Sequence, residues 1–292
     1  MLFVQSPTKN QPSRLINLVI VSSSVCVIYL LVSLLLTCSS KYLLHTYSSS
    51  SEHVHAPTSL EHIVFGIASN QKSWTKRKEY VRLWWKPRQM RGCVFLESPP
   101  PDHEHANNDT SLPPVRISED TSRFRYTYRN GLRSAIRVAR VVSETVALNH
   151  SDVRWYVFGD DDTVFFPDNL VKTLSKYDHG LWYYIGTHSE IFEQNRFFGF
   201  GMAFGGAGFA ISYPLAKILA KVFDSCIERY PHLYGSDSRV YTCLAELGVT
   251  LTHEPGFHQV SINLLTLTQG LQILSHFGSY KLTVKFISNF PL

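Results

Sequence analysis

The stretch WYVFGDDDTVFF, residues 155–166, joins a continuous apolar run to three adjacent carboxylates. Successive apolar residues without alternation are typical of a strand that is buried on both faces of a parallel sheet. Asp160, Asp161 and Asp162 follow this run after one glycine. Three like charges at a strand end repel one another, and a hard divalent cation neutralises them. We therefore interpret the segment as a buried strand that ends in a metal site; the alternative is a solvated acidic turn.

The spacing of these acids distinguishes two kinds of phosphate chemistry. Asp160 and Asp162, one residue apart, can both point toward one ligand, which suits Mg²⁺ or Mn²⁺ held against a diphosphate. Phosphatases of the haloacid dehalogenase type also use strand-end aspartates, with Asp at plus two and Thr at plus four. Here Thr163 lies only three residues after Asp160, and Val164 occupies the plus-four place. The spacing argues against such a phosphatase.

Apolar runs upstream extend the strand pattern. Residues 62–68 and 92–96 are two short apolar runs, separated by the basic stretch 71–88. Apolar side chains then recur at helical spacing over 132–146, and Pro214 opens another helical pattern. This alternation predicts an α/β fold with a mostly parallel central sheet flanked by helices. Ligands of such sheets bind at the carboxyl ends of the strands.

Composition excludes several classes of protein. The chain has 292 residues, of which 44% are hydrophobic, so it can bury a full core and is not a disordered, collagen-like or disulfide-stapled miniature protein. The net charge of +5 comes from 28 basic and 23 acidic residues without a basic cluster. We therefore expect no nucleic-acid partner.

The N-terminal region predicts a membrane anchor. Residues 15–37 form a 23-residue run without a charged side chain, long enough to span a bilayer as one transmembrane helix. A cleaved signal peptide is the alternative, although its apolar region is usually shorter. Lys9 and Arg14 precede the run and only Lys41 follows it closely, which favours a cytosolic tail over 1–14 and a lumenal remainder.

The segment after the anchor is predicted to be a stem. Residues 38–60 are rich in Ser and His and lack apolar periodicity. Two N-glycosylation sequons, at Asn108 and Asn149, lie in polar stretches and agree with a lumenal domain.

The cysteines fit an oxidising compartment. Cys26 and Cys38 belong to the membrane segment, which leaves three of the five cysteines in the lumenal part. We expect Cys226 and Cys243 to form a disulfide. Cys93 lies in an apolar strand-like run and is expected to be a buried thiol.

Four segments, in order, carry a family resemblance: FGDDDTVFF, GFGMAFGGAGFAIS, YGSDSRVYTCLAELG and EPGFHQ. Together they resemble the plant branch of the Fringe-like β1,3-glycosyltransferases, glycosyltransferase family 31 and its relatives. The resemblance covers a domain over about residues 61–259. It implies a GT-A-like fold, a UDP-sugar donor, Mn²⁺ (or Mg²⁺), inversion at the anomeric carbon, a glycan or glycoprotein acceptor and residence in the Golgi membrane as a single-pass type II protein.

The resemblance also implies roles for the acidic residues. Asp160 and Asp162 match the acids that hold metal and nucleotide, with Asp162 as the direct metal ligand, and Asp161 between them is assigned to donor binding. Asp237, in YGSDSR, aligns with the acid that serves as catalytic base. An inverting transfer needs such a base, because the acceptor hydroxyl must lose its proton. The alternative is that Asp237 is the N-cap of the helix that ends at Gly248.

His258 is a candidate third metal ligand. It falls in GFHQ, where the family has a His-containing segment near the metal. Fringe enzymes have a second His two residues later as ligand, but this chain has Val260 there. The alternative is a structural, hydrogen-bonded imidazole.

Four other residues are expected near the donor. The glycine segment, with Gly205 and Gly206, resembles the family's loop near donor and acceptor, where missing side chains let the backbone approach closely. Ser69, at the end of the first strand, and Arg77, in the basic stretch, are expected near the uridine and the diphosphate. A turn residue and a solvated cation are the alternatives for those two.

The C-terminal segment departs from the resemblance. Plant relatives continue past the FHQ segment, whereas here the sequence changes at Val260 and stops at Leu292. We expect residues 260–292 to form a divergent tail. This departure leaves open a second function, a catalytically inactive lumenal protein that binds UDP-sugars or has a regulatory role.

Overall fold

The fold was analysed in a computed structural model. It describes residues 17, 19–33, 57–100, 109–262 and 279–284, with the backbone alone for 259–262 and 279–284. Residues 1–56 and 57–292 form two separate units. The described part of the first unit is helical over 19–33. Within the described residues, none of the helices combines the length and the apolar character that crossing a bilayer requires. The expected anchor over 15–37 lies partly outside these residues.

Two largely apolar strands form the centre of the second unit. They are β1 (Ile63–Ala68) and β4 (Trp155–Asp160), and they pair in parallel. In β1, Val64 packs into the core on one face, and Phe65 packs into the core on the other. Because both faces are covered, neither strand shows polar alternation, as the sequence predicts.

Within the described residues, the central sheet has seven strands. Besides β1 and β4 they are β2 (Arg91–Leu96), β3 (Val115–Ile117), β6 (Tyr184–Gly186), β7 (Phe209–Ser212) and β8 (Leu251–His253). The order is β3-β2-β1-β4-β7-β6-β8, and only β7 runs antiparallel to its neighbours. The predicted α/β fold with a mostly parallel sheet is confirmed.

Helices cover both faces of this sheet. They are α1 (Gln71–Arg82), α2 (Ser134–Ala147), α3 (Pro167–Leu174), α4 (Phe192–Phe198), α5 (Tyr213–Arg229) and α6 (Ser236–Glu246). Apolar residues of α2, α5 and α6 share one core cluster, and those of α1 and α3 share the other. The helices expected at 132–146 and from Pro214 are confirmed as α2 and α5.

A second, three-stranded sheet follows directly from the acidic segment. It consists of β5 (Thr163–Phe165), β9 (Phe257–Ile262) and β10 (Ser279–Val284), with β10 in the middle. β10 is antiparallel to β5 and parallel to β9. The expected domain boundary after residue 259 falls within β9, and β10 belongs to the segment expected to be a divergent tail.

A disulfide joins two helices of one layer. Cys226 of α5 and Cys243 of α6 are bonded, with a Cα–Cα distance of 5.8 Å. Cys93 is a free, buried thiol. Both predictions for these cysteines are confirmed. The disulfide ties α6, which carries Asp237, to the core helix α5.

Candidate active site

The carboxyl ends of β1 and β4 bring two predicted site residues together. The parallel register places Ala68 opposite Asp160, and the Asp161 N–H donates to the Ala68 carbonyl at 3.1 Å. The residue that follows β1, Ser69, therefore lies beside Asp161. Its hydroxyl donates to Asp161 Oδ2 at 2.6 Å.

Arg77 completes this cluster from α1. The helix starts at Asn70, whose side chain accepts a hydrogen bond from the Ser73 N–H. The Nη1 atom of Arg77 lies 3.1 Å from Asp161 Oδ1 and 3.1 Å from Asp162 Oδ2. One guanidinium thus bridges two carboxylates. Ser69 and Arg77 therefore contact the strand-end acids directly, and their expected place near the uridine and the diphosphate stays a prediction.

This pairing explains how the strand end tolerates its charge. Asp161 and Asp162 are only 3% and 4% exposed, and an unpaired buried carboxylate is costly. Partial burial lowers the pKa of Arg77, but the hydrogen bond to Asp161 and the charges of both carboxylates outweigh it and raise that pKa. The interpretation as a solvated acidic turn is therefore wrong for Asp161 and Asp162.

Arg137 of α2 is a site residue that the sequence analysis missed. Its Nη2 atom donates to the Ser69 carbonyl at 2.7 Å and its Nη1 atom to the Phe95 carbonyl at 3.3 Å. It is buried, and burial lowers its pKa. Its position next to Ile136, within the helical pattern over 132–146, was the available signal. Arg137 holds the ends of β1 and β2 in place and adds a second cation.

These side chains line a polar cleft of about 430 Å³. Its wall includes Ser69, Arg77, Arg137 and the acids of residues 160–162. Guanidinium groups complement phosphate, and carboxylates complement hard cations. The cleft therefore has the chemistry to bind a diphosphate together with a divalent cation. We call it the polar cleft.

Asp237 lies in the first turn of α6. The N-cap of that helix is Gly235, so the interpretation of Asp237 as the N-cap is wrong. Its Oδ2 atom accepts the Gly205 N–H at 2.9 Å, and its Oδ1 atom accepts the Ser236 hydroxyl at 3.0 Å. The positive end of the helix dipole also favours a carboxylate there.

Gly205 and Gly206, in the glycine segment before β7, connect Asp237 with the strand-end acids. A Cβ atom at Gly205 would collide with the Asp237 carboxylate in its present position. The Gly206 carbonyl accepts the Thr163 hydroxyl at 3.0 Å. The same Thr163 oxygen accepts the Asp160 N–H at 2.9 Å. Hydrogen bonds of Thr163 therefore link the end of β4 to the glycine segment at Gly206.

A second cavity lies on the Asp237 side. It has a volume of about 250 Å³, and its wall includes Asp160, Asp237, Phe198 and Tyr234. A gap of about 30 Å³, lined by Gly205 and by both of these aspartates, adjoins it. Because Asp160 lines the polar cleft as well, it stands between the two cavities. We call the second one the Asp237 cavity.

His258 has a different environment. Its Nδ1 atom lies 3.2 Å from Glu190 Oε1. Among the described residues, no group of three or more His, Cys, Asp or Glu side chains is arranged to hold a metal ion. The contact with Glu190 agrees with a structural imidazole, and a metal-binding role of His258 stays a prediction. The donor chemistry of Asp160 and Asp162 still fits Mg²⁺ or Mn²⁺, which proteins often hold with one or two carboxylates plus substrate phosphates.

Two sequence comparisons bear on this site. Residues 194–271 match the sequence model of the family described as "Protein of unknown function, DUF604". A mouse (Mus musculus) protein named beta-1,3-glucosyltransferase is 29% identical over 116 residues, which cover 38% of this chain and 22% of that protein. The chain therefore matches about a fifth of the length of this relative.

Solved structures with a similar backbone include two sugar transferases. One is the galactosyltransferase LgtC in complex with donor and acceptor sugar analogues, with a TM-score of 0.45, 15% identity, and coverage of 76% of this chain and 87% of that one. The other is the mannosyltransferase PcManGT from Pyrobaculum calidifontis in complex with GDP-Man and Mn²⁺, with a TM-score of 0.40, 14% identity, and coverage of 74% and 61%. Similarity at this level is too low to assign an activity to this chain.

Proposed function

We propose that this chain is a metal-dependent, inverting glycosyltransferase that moves a hexose from a UDP-sugar to a glycan hydroxyl in β1,3 linkage. The observation that carries the proposal is the placement of Asp160 between the polar cleft and the Asp237 cavity. A transferase needs two such adjoining sites, one for the donor and one for the acceptor. The mouse relative supports the reaction class and adds glucose to galactose and N-acetylglucosamine as hexoses to test.

In this proposal the polar cleft binds the donor. Asp160 and Asp162 would hold Mn²⁺ or Mg²⁺, and a bound metal ion neutralises charge that develops on a departing diphosphate. Arg77 keeps Asp161 and Asp162 in place and offers a cation to the phosphates. Asp161, which accepts the Ser69 hydroxyl, supports the donor site as the anchor of this cluster.

Asp237 acts on the other substrate. The acceptor oxygen attacks the anomeric carbon, the bond from that carbon to the UDP oxygen breaks, and the hydroxyl proton passes to the Asp237 carboxylate. Attack opposite the leaving group inverts the anomeric configuration. The Gly205 N–H and the Ser236 hydroxyl orient this carboxylate. Glycine at 205 leaves the space that the carboxylate occupies.

The proposal includes the lumen of the Golgi as the working compartment, with a single-pass type II orientation and an anchor over residues 15–37. The Cys226–Cys243 disulfide supports an oxidising compartment. The sequon residue Asn149 is exposed, which agrees with glycosylation of the folded domain.

Calorimetric titration of the full chain with UDP, with and without Mn²⁺, tests the donor site. We expect saturable binding that requires Mn²⁺ and is lost with EDTA. Saturable binding without sugar transfer to any acceptor would favour the alternative of an inactive UDP-sugar-binding protein. No UDP binding by a chain that melts cooperatively would refute the donor site itself.

A further inference from the structure

Two aromatic rings line the Asp237 cavity. Phe198, the last residue of α4, and Tyr234, just before the N-cap of α6, both lie in its wall. Their rings are nearly parallel, at 26° with 6.1 Å between centroids. Tyr234 is 47% exposed, so part of its ring is open to a ligand. We call Phe198 and Tyr234 the aromatic wall.

Neighbouring side chains fix the backbone around Tyr234. The Tyr126 hydroxyl donates to the Tyr234 carbonyl at 2.9 Å, and the Tyr128 ring packs against the Tyr234 ring with centroids 5.1 Å apart. Arg239, fully buried, donates to the Gly235 carbonyl at 2.8 Å and lies over the Tyr126 ring. A partly exposed side chain on a fixed backbone is a preorganised binding surface.

The position of the aromatic wall indicates which substrate it meets. A catalytic base must reach the acceptor hydroxyl, so the acceptor has to occupy the cavity that Asp237 lines. The wall of that cavity does not include Ser69, Arg77 or Arg137. It therefore lacks the two arginines of the polar cleft, the cations that suit phosphates. Its volume of about 250 Å³ lies just below the usual range of about 300–1,000 Å³ for drug-sized ligands. The cavity therefore suits a small, partly apolar occupant and disfavours a phosphate.

We propose that the aromatic wall is the acceptor subsite and that the apolar face of a pyranose ring packs on the Tyr234 side chain. The inference rests on the proposed function, since it takes Asp237 as the base. A pyranose fits these walls because its C–H face can contact an aromatic ring while its hydroxyl groups face polar neighbours. Gln194, Ser236 and Ser238 supply such neighbours in the same cavity.

Saturation-transfer NMR on the full chain, with UDP and diamagnetic Mg²⁺, tests this subsite. The probes are the methyl β-pyranosides of galactose, glucose, N-acetylglucosamine and N-acetylgalactosamine. We expect at least one to receive saturation on its ring protons. Tyr234→Ala should raise its dissociation constant about 3- to 10-fold, the range expected for one aromatic contact. Tyr234→Phe keeps the ring and should stay within about twofold of the wild type.

Phe192→Ala is the matched control. Phe192 lies on the same helix α4 and is 66% exposed, but it is not part of the cavity wall. This variant should bind the probe like the wild type. Equal affinity of Tyr234→Ala and the wild type, or no binding of any probe by a wild type that binds UDP, would overturn the subsite. If the wild type bound neither a probe nor UDP, the proposed function itself would be refuted.

Discussion

The two ends of the site, the polar cleft and the Asp237 cavity, hold their carboxylates in different ways. At the end of β4, Asp161 and Asp162 are buried and share the Arg77 guanidinium. At the start of α6, Asp237 accepts hydrogen bonds from the Gly205 N–H and the Ser236 hydroxyl. A carboxylate held by a cation is suited to fixing charge, whereas one oriented by neutral donors is suited to taking up a proton. In the proposed function, this contrast places donor binding at the first end and proton transfer at the second.

The residues that line the two ends also differ in charge and polarity. The polar cleft is lined by arginines and acids. The Asp237 cavity is lined by Phe198 and Tyr234 and by Gly206 of the glycine segment. The proposal places the charged donor at the first end and the acceptor sugar at the second. Variants that affect only one end therefore test the division directly.

Asp237→Asn should have the largest effect on the reaction. The amide keeps the shape but cannot accept the proton, so turnover should fall by about 10²- to 10⁴-fold. The affinity for UDP with Mn²⁺ should change by less than about twofold, because the donor end is intact. Steady-state kinetics and calorimetry measure the two quantities. Asp168→Asn, a change at an exposed acid of α3, is the control. Near-normal turnover of Asp237→Asn would remove Asp237 from catalysis.

Asp162→Asn should affect binding as well as rate. A neutral amide is a poorer ligand for a hard cation, so the affinity for UDP with Mn²⁺ should fall by about 10- to 100-fold. Calorimetry with Mn²⁺ measures this loss. If Asp162→Asn and Asp237→Asn weakened UDP binding equally, the assignment of different tasks to the two ends would be wrong.

Opening the disulfide should destabilise the Asp237 end. Cys226 and Cys243 are 17 residues apart, and a loop of this length contributes about 3 kcal/mol to the free energy of unfolding. Urea unfolding of the Cys226→Ser/Cys243→Ser double variant measures the loss. Cys93→Ser serves as the control for changing a cysteine that forms no disulfide. An unchanged unfolding midpoint in the double variant would show that the disulfide does not stabilise α5 and α6.

Ser69→Ala should have the smallest effect, and it concerns the donor end. The change leaves buried Asp161 without its 2.6 Å hydrogen bond, which costs about 1–3 kcal/mol of unfolding free energy. Ser122→Ala is a matched control, because Ser122 donates to Asp120 at an exposed site. Its cost should stay within about 0.5 kcal/mol. Equal losses in the two variants would contradict the role of burial at the strand end.

Much of the central sheet could be predicted from sequence. Continuous apolar runs identify β1 and β4, because burial on both faces removes polar alternation. Helical spacing identifies α2, and the pairing of Cys226 with Cys243 was also expected. The second sheet was not predicted, because β5 has only three residues and its partner β10 lies more than about a hundred residues away in sequence.

The site was predictable in its residues but not in its contacts. The run of residues 160–162 stands out because a buried strand rarely ends in three acids. No local pattern shows that Arg77 bridges two of them, or that Gly205 holds Asp237, since both contacts join distant segments. Arg137 was missed because an arginine of an amphipathic helix is expected on the solvent face, whereas this one is buried. Tertiary contacts decide such pairings.

Release of UDP from UDP-hexoses by the full chain is the most direct test of the central claim. The donors are UDP-galactose, UDP-N-acetylglucosamine and UDP-glucose, each with Mn²⁺ or with EDTA. We expect UDP to be released from at least one donor with Mn²⁺, release to stop with EDTA, and Asp237→Asn to slow it while still binding UDP. Mn²⁺-independent release, or no release from any donor by a cooperatively folded chain, would contradict the assignment as a metal-dependent glycosyltransferase.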